Sequence, residues 1–381
     1  MEKNNFVKVS QLIDPKKGKK VSSSKIKTPN SIPYLLIDTL RGDDPEFFTE
    51  DKKYVEAIPE DILIVGDGAN SGLVGTGVKG AVGSTIIRLR KKVDDLENNY
   101  LTYFLKLYFE QLRSDIKGSG TPHLKIDKLL KMEIRKPSSQ EQQKIVSAIE
   151  TQFSRLDETI ENLNSIKRKI GTYKKAVLKK AFEGDYKEDL IGNILKTTSG
   201  GTPSRGKKEY YFGNIPWLKS GELRDNKQIE DSEEHITEEA IRNSSAKIFP
   251  EKTVLIAMYG ATIGKVGILK KSCSTNQAVC GFLPNENYLP NFIFYYLLNK
   301  KRNLIFEGKG GAQPNISQTV IKSLKIPLCS IKEQQKIVQE IESKFSVIDK
   351  LEQIVEQSLK KAERLRKSIL KVAFEGRLIK E

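Results

Sequence analysis

An internal duplication is the feature that most constrains this chain of 381 residues. The hexapeptide Glu-Gln-Gln-Lys-Ile-Val at 141–146 recurs at 333–338, with an offset of 192 residues. The tetrapeptide Ala-Phe-Glu-Gly at 181–184 recurs at 373–376 with the same offset. A repeat of this length predicts two similar units, each about half of the chain.

The parts of the two copies that precede these motifs have diverged. Ile-Pro-Tyr-Leu at 32–35 resembles Ile-Pro-Trp-Leu at 215–218, but here the offset is 183, so the second copy carries nine more residues in its middle. Nearly identical ends after dissimilar beginnings indicate that the ends share one task. The beginnings are then expected to perform different versions of another task.

Each conserved end is predicted to be one long amphipathic helix. A capping-box spacing starts each segment and a glycine ends it: Ser138 with Glu141, then Gly184, and Ser330 with Glu333, then Gly376. An apolar residue recurs every seventh position: Ile149, Leu156, Leu163, Ile170 and Val177, then Ile341, Ile348, Val355, Ala362 and Ile369. Apolar residues flank this seam in both copies: Phe153, Ile160, Tyr173, Phe345, Leu351, Leu359, Leu365 and Val372.

An isolated helix of a little over forty residues, roughly 60 Å long, cannot bury such a stripe by itself. We therefore expect the two helices to form an antiparallel coiled coil about a pseudo-two-fold axis, with the globular parts at opposite ends. The matched offset argues against two unrelated helical hairpins. A homodimeric coiled coil remains an alternative.

These signals divide the chain into four segments: globular regions 1–137 and 185–327, and helical segments 138–184 and 328–381. The predicted fold class is α+β, because both globular regions contain strand-like runs separated by glycine-rich turns. The runs are 62–65, 85–89, 253–257 and 265–269. A short helix follows in each copy, at 101–112 and 291–298, and then a glycine-rich loop, at 118–123 and 310–315.

The charge of the chain favours a polyanionic partner. Lys and Arg number 65 against 49 Asp and Glu, which gives a net charge of +16. A well-solvated lysine-rich surface and an anionic membrane are the alternatives that charge leaves open. Basic and polar side chains in the loops are the candidates for phosphate and base contacts. They are Lys19, Lys20, Lys25, Lys27, Arg41, Asn70, Ser71, Lys79, His123, Thr202, Ser204, Arg205, Lys207, Lys208, Lys219, Arg224, Tyr259, Thr262, Lys265 and Asn315.

The patterns of common catalytic and metal sites are weak in this sequence. Two histidines and three dispersed cysteines argue against a zinc site and a disulfide framework, and a reducing cytoplasm is the expected compartment. The G-x-G-x-x-G match at 75–80 leads into a strand-like segment and has no counterpart in the second copy. No signal peptide and no membrane-spanning run of eighteen apolar residues is expected. Tyr34 and Trp217 are expected to pack in the core.

The plan of a diverged region, a helix that starts with Glu-Gln-Gln-Lys-Ile-Val and ends in Ala-Phe-Glu-Gly, and then the whole unit again, resembles the specificity subunits of type I restriction–modification systems. Four stretches of the second copy are also similar to that family's target-recognition domains: Gly-Gly-Thr-Pro-Ser at 200–204, Ile-Pro-Trp-Leu at 215–218, Tyr-Gly-Ala-Thr-Ile-Gly at 259–264 and Ala-Gln-Pro-Asn at 312–315. The resemblance covers essentially the whole chain.

The resemblance implies that the chain is non-catalytic and that each recognition domain reads one half of a bipartite site in double-stranded DNA. It also implies that the helices set the spacing of the half-sites and bind two modification subunits. S-adenosylmethionine would be held by those subunits, which methylate adenine, while ATP and magnesium would be needed by restriction subunits that join for cleavage. No membrane partner is implied.

The first copy departs from the family's pattern. It lacks the Gly-Gly-Thr-Pro-Ser stretch, has Tyr34 in place of Trp217, and has Gly-Asp-Gly-Ala-Asn at 66–70 where the second copy has the Tyr-Gly-Ala-Thr loop. Its DNA contacts are therefore less defined by the resemblance. Two other functions stay open at this point: a helical scaffold for protein partners, and a specificity subunit of a combined cleavage–methylation (type II) system.

Overall fold

The computed structural model describes residues 6–112, 123–307 and 315–379. The chain forms two compact units, Met1–Leu163 with Gln357–Glu381, and Asn164–Glu356. Each unit thus combines one globular region with one half of each long helix. Most of the two glycine-rich loops, 118–122 and 310–314, lies outside the described residues.

The first unit is built from two four-stranded sheets and a two-stranded ribbon, of order β2-β9-β6-β7, β4-β3-β8-β5 and β1-β10. Its elements are β1 Phe6–Lys8, α1 Val9–Leu12, β2 Ile13–Lys17, β3 Ile32–Leu35, β4 Phe48–Thr49, β5 Glu56–Ala57, β6 Ile62–Val65, β7 Val74–Gly75, β8 Gly80–Val82, β9 Ile86–Lys91, α2 Asn98–Leu112, α3 Ile126–Lys131 and β10 Glu133–Arg135. The long helix α4, Ser139–Ala181, follows and continues into the second unit.

The second unit repeats this plan with a larger main sheet, of order β12-β20-β17-β18-β14, beside β15-β13-β19-β16 and β11-β21. Its elements are β11 Glu188–Leu190, α5 Ile191–Ile194, β12 Thr197–Ser199, β13 Tyr211–Leu218, β14 Asn226–Ile229, β15 His235–Ile236, α6 Glu238–Arg242, β16 Ile248–Phe249, β17 Val254–Ala257, β18 Val266–Leu269, β19 Cys273–Thr275, β20 Val279–Phe282, α7 Pro290–Glu307, α8 Gln318–Ser323 and β21 Lys325–Pro327. The second long helix, α9, spans Ile331–Phe374. The predicted α+β class and internal repeat are confirmed.

The two long helices start with different versions of the predicted cap. Before α9, the amide of Glu333 donates to the Ser330 hydroxyl at 3.3 Å, and the Ser330 amide donates to the Glu333 carboxylate at 2.7 Å, which is a complete capping box. Before α4, the amide of Glu141 donates to Ser138 at 3.3 Å, but the Glu141 carboxylate accepts from Arg135 at 2.7 Å. Only half of the box is therefore present in the first copy.

The second glutamine of the repeated hexapeptide explains why the helix starts are so alike. Gln142 is fully buried. Its amide nitrogen donates to the carbonyls of Asp95 and Pro137 at 3.0 and 2.8 Å, and its oxygen accepts from the Glu97 amide at 2.9 Å. Three backbone groups in two loops are thereby tied to the first turn of α4.

Gln334 repeats this arrangement at the start of α9. It too is fully buried. It donates to the carbonyls of Asn287 and Cys329 at 2.7 and 3.0 Å and accepts from the Leu289 amide at 2.8 Å. A side chain with one acceptor and two donors is needed at both positions, because a buried backbone group without a partner is costly.

The repeated Ala-Phe-Glu-Gly motif attaches the other end of each helix to a globular region. The Phe182 ring, just after α4, lies 5.3 Å from Phe292 and 5.7 Å from Tyr296 of α7. The Phe374 ring at the end of α9 lies 4.9 Å from Tyr100 and 5.6 Å from Phe104 of α2. Edge-to-face and tilted contacts of this kind stabilise the packing beyond the burial of area.

The two glycines after the helices differ. Gly376 has φ of +74°, and the Arg377 amide donates to the carbonyl of Val372 at 3.0 Å, so α9 ends in a left-handed cap. Helix α4 ends at Ala181, and Gly184 is not among the residues with positive φ. The prediction of a stop signal is therefore right for α9, whereas α4 ends three residues before its glycine.

In each unit the two helix segments pack side by side. In the second unit Lys174 pairs with Asp349 at 2.9 Å and with Glu352 at 2.6 Å, while Lys167 pairs with Glu356 at 3.4 Å. The later residue of α4, Lys174, pairs with earlier residues of α9 than Lys167 does. The two segments are therefore antiparallel, as predicted. In the first unit Arg366 of α9 likewise pairs with Asp157 of α4.

The seven-residue seam is buried as predicted, with Leu163 partly exposed and the other nine positions 9% exposed or less. Three of the flanking positions were predicted wrongly: Tyr173, Leu351 and Leu365 are 48–55% exposed. They lie beside the seam rather than in it, because two paired helices cover only a narrow stripe of each other.

Candidate nucleic-acid interface

One loop in each unit leaves the main sheet at the same place, after β2 in the first unit (the first-unit loop, residues 18–31) and after β12 in the second (the second-unit loop, residues 200–210). Both begin at a glycine pressed against backbone. A β-carbon on Gly18 would lie 2.2 Å from the carbonyl oxygen of Gly83, and one on Gly200 would lie 2.2 Å from that of Thr275. Only glycine permits this approach, so the base of the loop is fixed in both units.

A buried aromatic ring holds the next residue of each loop. The indole nitrogen of Trp217 donates to the carbonyl of Gly201 at 3.0 Å, and the Tyr34 hydroxyl donates to the carbonyl of Lys19 at 3.3 Å. The two rings are 1% and 7% exposed, which confirms that they pack in the core. The two loops thus share an anchor, and beyond it their sequences differ completely.

In the second unit the anchor leads to a cluster of cations over aromatic rings. The guanidinium of Arg205 lies 4.6 Å from the centre of the Tyr211 ring and 4.9 Å from that of Trp217. Glu234 accepts from Arg205 at 2.6 Å and from Lys219 at 3.0 Å. This places two of the predicted basic residues side by side, with one carboxylate to orient them.

The hydrogen bonds within this cluster shift its titration. The bond to Glu234 raises the pKa of Arg205, and the bonds from Arg205 and then Lys219 lower the pKa of Glu234. A hydrogen bond to the Tyr210 hydroxyl, 2.9 Å away, raises the pKa of Lys207. These cations therefore stay charged at neutral pH, as phosphate contact requires.

Four further predicted residues lie on or beside the second-unit loop. Lys207, Lys208 and Ser204 are exposed, and the hydroxyl of Thr202 is hydrogen-bonded to Gln277. Because Lys207 donates to a hydroxyl rather than to a carboxylate, its charge is better available to a polyanion than that of Arg205.

In the first unit the corresponding loop carries lysines over phenylalanine rings. The ammonium of Lys25 lies 5.3 Å from the Phe47 ring centre and 3.1 Å from Glu46, and that of Lys27 lies 5.8 Å from the Phe48 ring centre. Lys19 and Lys20, at the base of the loop, and Lys79, before β8, are exposed. The first unit therefore offers a basic loop without the Arg205 type of cluster.

A second pair of equivalent positions has diverged in chemistry. Asp67 and His123 form an isolated β-bridge in the first unit, and Tyr259 and Asn315 form the matching bridge in the second. The Asp67 carboxylate meets the His123 ring at 2.7 Å and Lys17 at 2.8 Å. The hydrogen bond from Lys17, and with it that from His123, lowers the pKa of Asp67 although burial opposes this.

The bridge of the second unit pairs an aromatic residue with an amide instead of an ion pair. Burial raises the pKa of Tyr259, and Asn315 is exposed beside it. In the first unit Arg41 donates to the amide oxygen of Asn70 at 2.8 Å, which brings together two predicted contact residues. The same scaffold position thus presents different hydrogen-bonding groups in the two units.

Three predicted contact residues make hydrogen bonds or ion pairs within their own unit. Ser71 is fully buried and its hydroxyl donates to the carbonyl of Gly66 at 3.3 Å, so its prediction as a DNA contact is wrong. The hydroxyl of Thr262 donates to the carbonyl of Ser220 at 2.8 Å, inside the unit. Lys265 forms an ion pair with Asp225 at 2.8 Å. Asp225, whose backbone has the left-handed φ of 61°, also pairs with Lys301.

Arg224 is exposed but differs in its surroundings from the other predicted cations. The groove in which it lies is also lined by Glu222, Glu230, Asp231 and Glu233. A negative surface of this kind repels phosphate, so Arg224 is less suited to backbone contact than the Arg205 cluster.

Sequence reasoning missed several residues that shape these surfaces. Nothing in the sequence marks Glu234 as the organiser of Arg205 and Lys219, because they come together only through the pairing of β13 with β15. The sequence also does not indicate that Lys17 is the partner of Asp67, because the two residues are 50 positions apart in the chain. Ile26 could have been found from the sequence, because it is an isolated apolar residue between Lys25 and Lys27.

Two features are absent from the described part of the chain. Among those residues, no group of three or more His, Cys, Asp and Glu side chains is placed to hold a metal ion. Within the same ranges, no helix is long and apolar enough to cross a membrane.

Comparison with known proteins identifies the relatives of this chain. Residues 1–170 and 183–362 match the family described as the type I restriction modification DNA specificity domain. The chain belongs to this family. Two matches in one chain agree with the duplication, and membership of a specificity family supports the expectation that the chain is not itself an enzyme.

Relatives with assigned roles agree. The type I restriction enzyme MjaVIII specificity subunit of Methanocaldococcus jannaschii is 28% identical over 370 residues, which cover 91% of this chain and 86% of the relative. The EcoR124I/EcoR124II specificity subunit of Escherichia coli is 30% identical over 213 residues, which cover 54% of this chain and 52% of the relative.

Solved structures show the same fold. A chain from a study of complex assembly and conformational transition of the type I R-M system has a TM-score of 0.78 and 15% identity, with 98% of both chains covered. The HsdS subunit from Thermoanaerobacter tengcongensis has a TM-score of 0.56 and 15% identity, with 98% of this chain and 97% of that chain covered. At this identity the likeness concerns the fold alone.

Proposed function

We propose that this specificity-family chain reads a split site in double-stranded DNA, with each globular region recognising one half. The observation that carries the proposal is the pair of anchored loops. Both are held in the same way at Gly18 and Gly200, and they then present different basic and polar side chains. Two readers of different half-sites need loops whose first residues are fixed in the same place and whose outer residues differ. Type I relatives are named as specificity subunits of restriction enzymes.

The side chains divide into two roles in this proposal. Exposed cations of the loops, such as Lys207 and Lys208, would contact phosphates and fix the register on the duplex. Groups with defined hydrogen-bonding directions, such as Asn70 and Asn315, would contact base edges. Half-sites read on one face of B-DNA lie roughly 34–36 Å apart, which is shorter than either long helix.

The long helices would also bind the modification subunits, two for each chain. In the second unit a groove of about 420 Å³ between α4 and α9 is lined by Ile166, Tyr173, Val347 and Leu351, which are 44–61% exposed. Lys169 and Lys344 line the same groove. An amphipathic helix of a modification subunit, with an apolar face and acidic flanks, fits this chemistry.

The cofactors belong to the partners in this proposal. S-adenosylmethionine would be bound by the modification subunits, and ATP with magnesium by restriction subunits. The role of this chain is then to deliver those active sites to one sequence.

A genome-wide map of methylated adenines tests the proposal. Cells that carry the modification subunit, with and without this chain, are compared. We expect a motif of two short half-sites, separated by a fixed unspecified spacer, that is methylated only when the chain is present. If an active modification subunit leaves the map unchanged, the proposal is wrong.

A further inference from the structure

Among the residues that the structure describes, Phe212 is the most exposed large apolar side chain, with 94% of its area accessible. Its backbone has φ of +67°, the left-handed region that a bulky residue rarely occupies. An aromatic residue that is strained and also fully accessible contributes nothing to the core. Such strain is typically retained where the side chain has a task outside the fold.

The residues on either side of Phe212 hold it in this position. Tyr211 pairs with Ile236 of β15, and its hydroxyl donates to the carbonyl of Pro203 at 2.8 Å. A β-carbon on Gly213 would lie 2.2 Å from the carbonyl oxygen of Ile236, so the strand is pressed against β15 there as well. The bulge between these two contacts turns the Phe212 ring outward on a rigid support.

The ring stands among charged side chains of both signs. The groove it lines, about 770 Å³ in volume, is also lined by Arg205, Lys208 and His235, with Glu233 and Glu234 as its acidic members. Arg205 is fixed by Glu234 and by two aromatic rings. An apolar tip beside fixed cations matches a duplex, which has stacked bases between two rows of phosphates.

The first unit presents a comparable tip in its own loop. Ile26 is 75% exposed and lies between Lys25 and Lys27, whose ammonium groups are held over phenylalanine rings. Hydrogen bonds fix the loop on both sides. The Ile26 amide donates to the Ser24 hydroxyl at 3.0 Å, and the Ser31 hydroxyl donates to the carbonyl of Thr28 at 2.9 Å.

Single exposed apolar residues are common and need no explanation by themselves. Here, however, each unit carries one on or directly after the loop that starts at its anchor, next to lysine or arginine side chains and on a hydrogen-bonded support.

We propose that Phe212 and Ile26 are wedges, each of which enters a base step of the half-site read by its own unit. The apolar side chain would partly unstack the two base pairs, and the neighbouring cations would hold the phosphates on either side. This inference rests on the proposed function, since it assumes that the two loops face DNA. Such wedges would add specificity, because some base-pair steps of DNA are deformed more easily than others.

The test uses the chain assembled with its modification subunits and a duplex that carries the split site found by methylation mapping. 2-Aminopurine, whose fluorescence rises when it is unstacked, is placed at one position after another in each half-site, and the adenine that becomes methylated is left out. We expect a rise at one step in each half-site. Phe212→Gly should abolish the rise in one half, and Ile26→Ala in the other.

Binding gives a second readout. Stacking of one base on an aromatic side chain contributes about 1–3 kcal/mol, so Phe212→Gly should weaken binding by about 5- to 150-fold. Phe212→Leu, which keeps an apolar wedge but has no aromatic ring, should retain the rise of fluorescence and only part of the affinity. Phe6→Ala is the matched control, because Phe6 is 55% exposed but lies on β1 of the other unit. Glycine accepts the left-handed backbone, so Phe212→Gly should not lower the melting temperature.

The outcomes separate this inference from the proposed function. Site-specific binding and methylation by the unaltered complex, with no rise of fluorescence outside the target adenine, would overturn the wedge and leave the reader intact. Equal losses for Phe212→Gly and Phe6→Ala would also overturn it. If the unaltered complex shows no site preference at all, the proposed function itself fails.

Discussion

The two loops after β2 and β12 are alike at their base and unlike at their tip, and this contrast describes the whole molecule. At the base, a glycine against backbone and a buried ring fix the chain in both units. At the tip, one unit has lysines over Phe47 and Phe48, and the other has Arg205 between Tyr211 and Trp217. Parts that hold the fold have been kept through the duplication, and parts that face outward have been replaced.

The long helices show the same contrast along their length. Their buried seam is matched in both copies, but the exposed strip of the second unit is not. Ile166, Tyr173, Val347 and Leu351 correspond in the first unit to Ser358, Leu365, Arg155 and Thr159. If two modification subunits bind, the surfaces that receive them are therefore chemically different.

The largest effect is expected where the units are most alike, at Gln142 and Gln334. Replacement by alanine removes three side-chain hydrogen bonds to the backbone in one unit, and should destabilise that unit by roughly 2–4 kcal/mol, at about 1 kcal/mol for each bond. Hydrogen exchange measured by mass spectrometry should show faster exchange at the start of α4 for Gln142→Ala and at the start of α9 for Gln334→Ala. Gln335→Ala, on the exposed side of the same turn, is the control. Unchanged exchange in both variants would show that these bonds do not hold the helix starts.

A smaller effect, which differs between the units, is expected on the exposed helix faces. Val347→Asp places a charge in the apolar groove and should weaken the binding of one modification subunit by about 10- to 100-fold, or roughly 1–3 kcal/mol. Native mass spectrometry should then detect one bound subunit in place of two. Leu365→Asp, at the more polar face of the first unit, should have less effect. Equal losses from the two variants would contradict the asymmetry.

The smallest effect is expected for single phosphate contacts. Changing Lys207 and Lys208 to Gln together should reduce the slope of log affinity against log salt by up to about 1.8, because each neutralised phosphate contributes about 0.9 to that slope. Because phosphates carry no sequence information, the recognised half-site should not change. Lys25→Gln with Lys27→Gln makes the matched change in the first-unit loop. A slope that stays the same would show that the pair concerned does not touch phosphate.

Much of the fold could be predicted because its signals are local or periodic. The seam of α4 and α9, the cap at Ser330 and the strand at 62–65 follow from spacing alone. The flanking residues Tyr173, Leu351 and Leu365 could not be placed by the same reasoning, since heptad spacing does not say how wide the covered stripe is.

The candidate interface was less predictable, because it depends on contacts between residues far apart in the chain. Ser71 looks like other loop serines in the sequence, and only the folded loop shows that it is buried. Lys265 resembles a surface cation until Asp225 is seen beside it. Predictions from residue type could not separate side chains that face outward from those that hold the loop.

Exchange of residues 185–327 for the corresponding region of another specificity subunit shows whether the two globular regions are independent readers. The methylated motif is then mapped in cells that carry the modification subunit. If they are independent, one half-site should change to that of the donor, while the other half and the spacer stay as they were. A motif changed in both halves would contradict their independence.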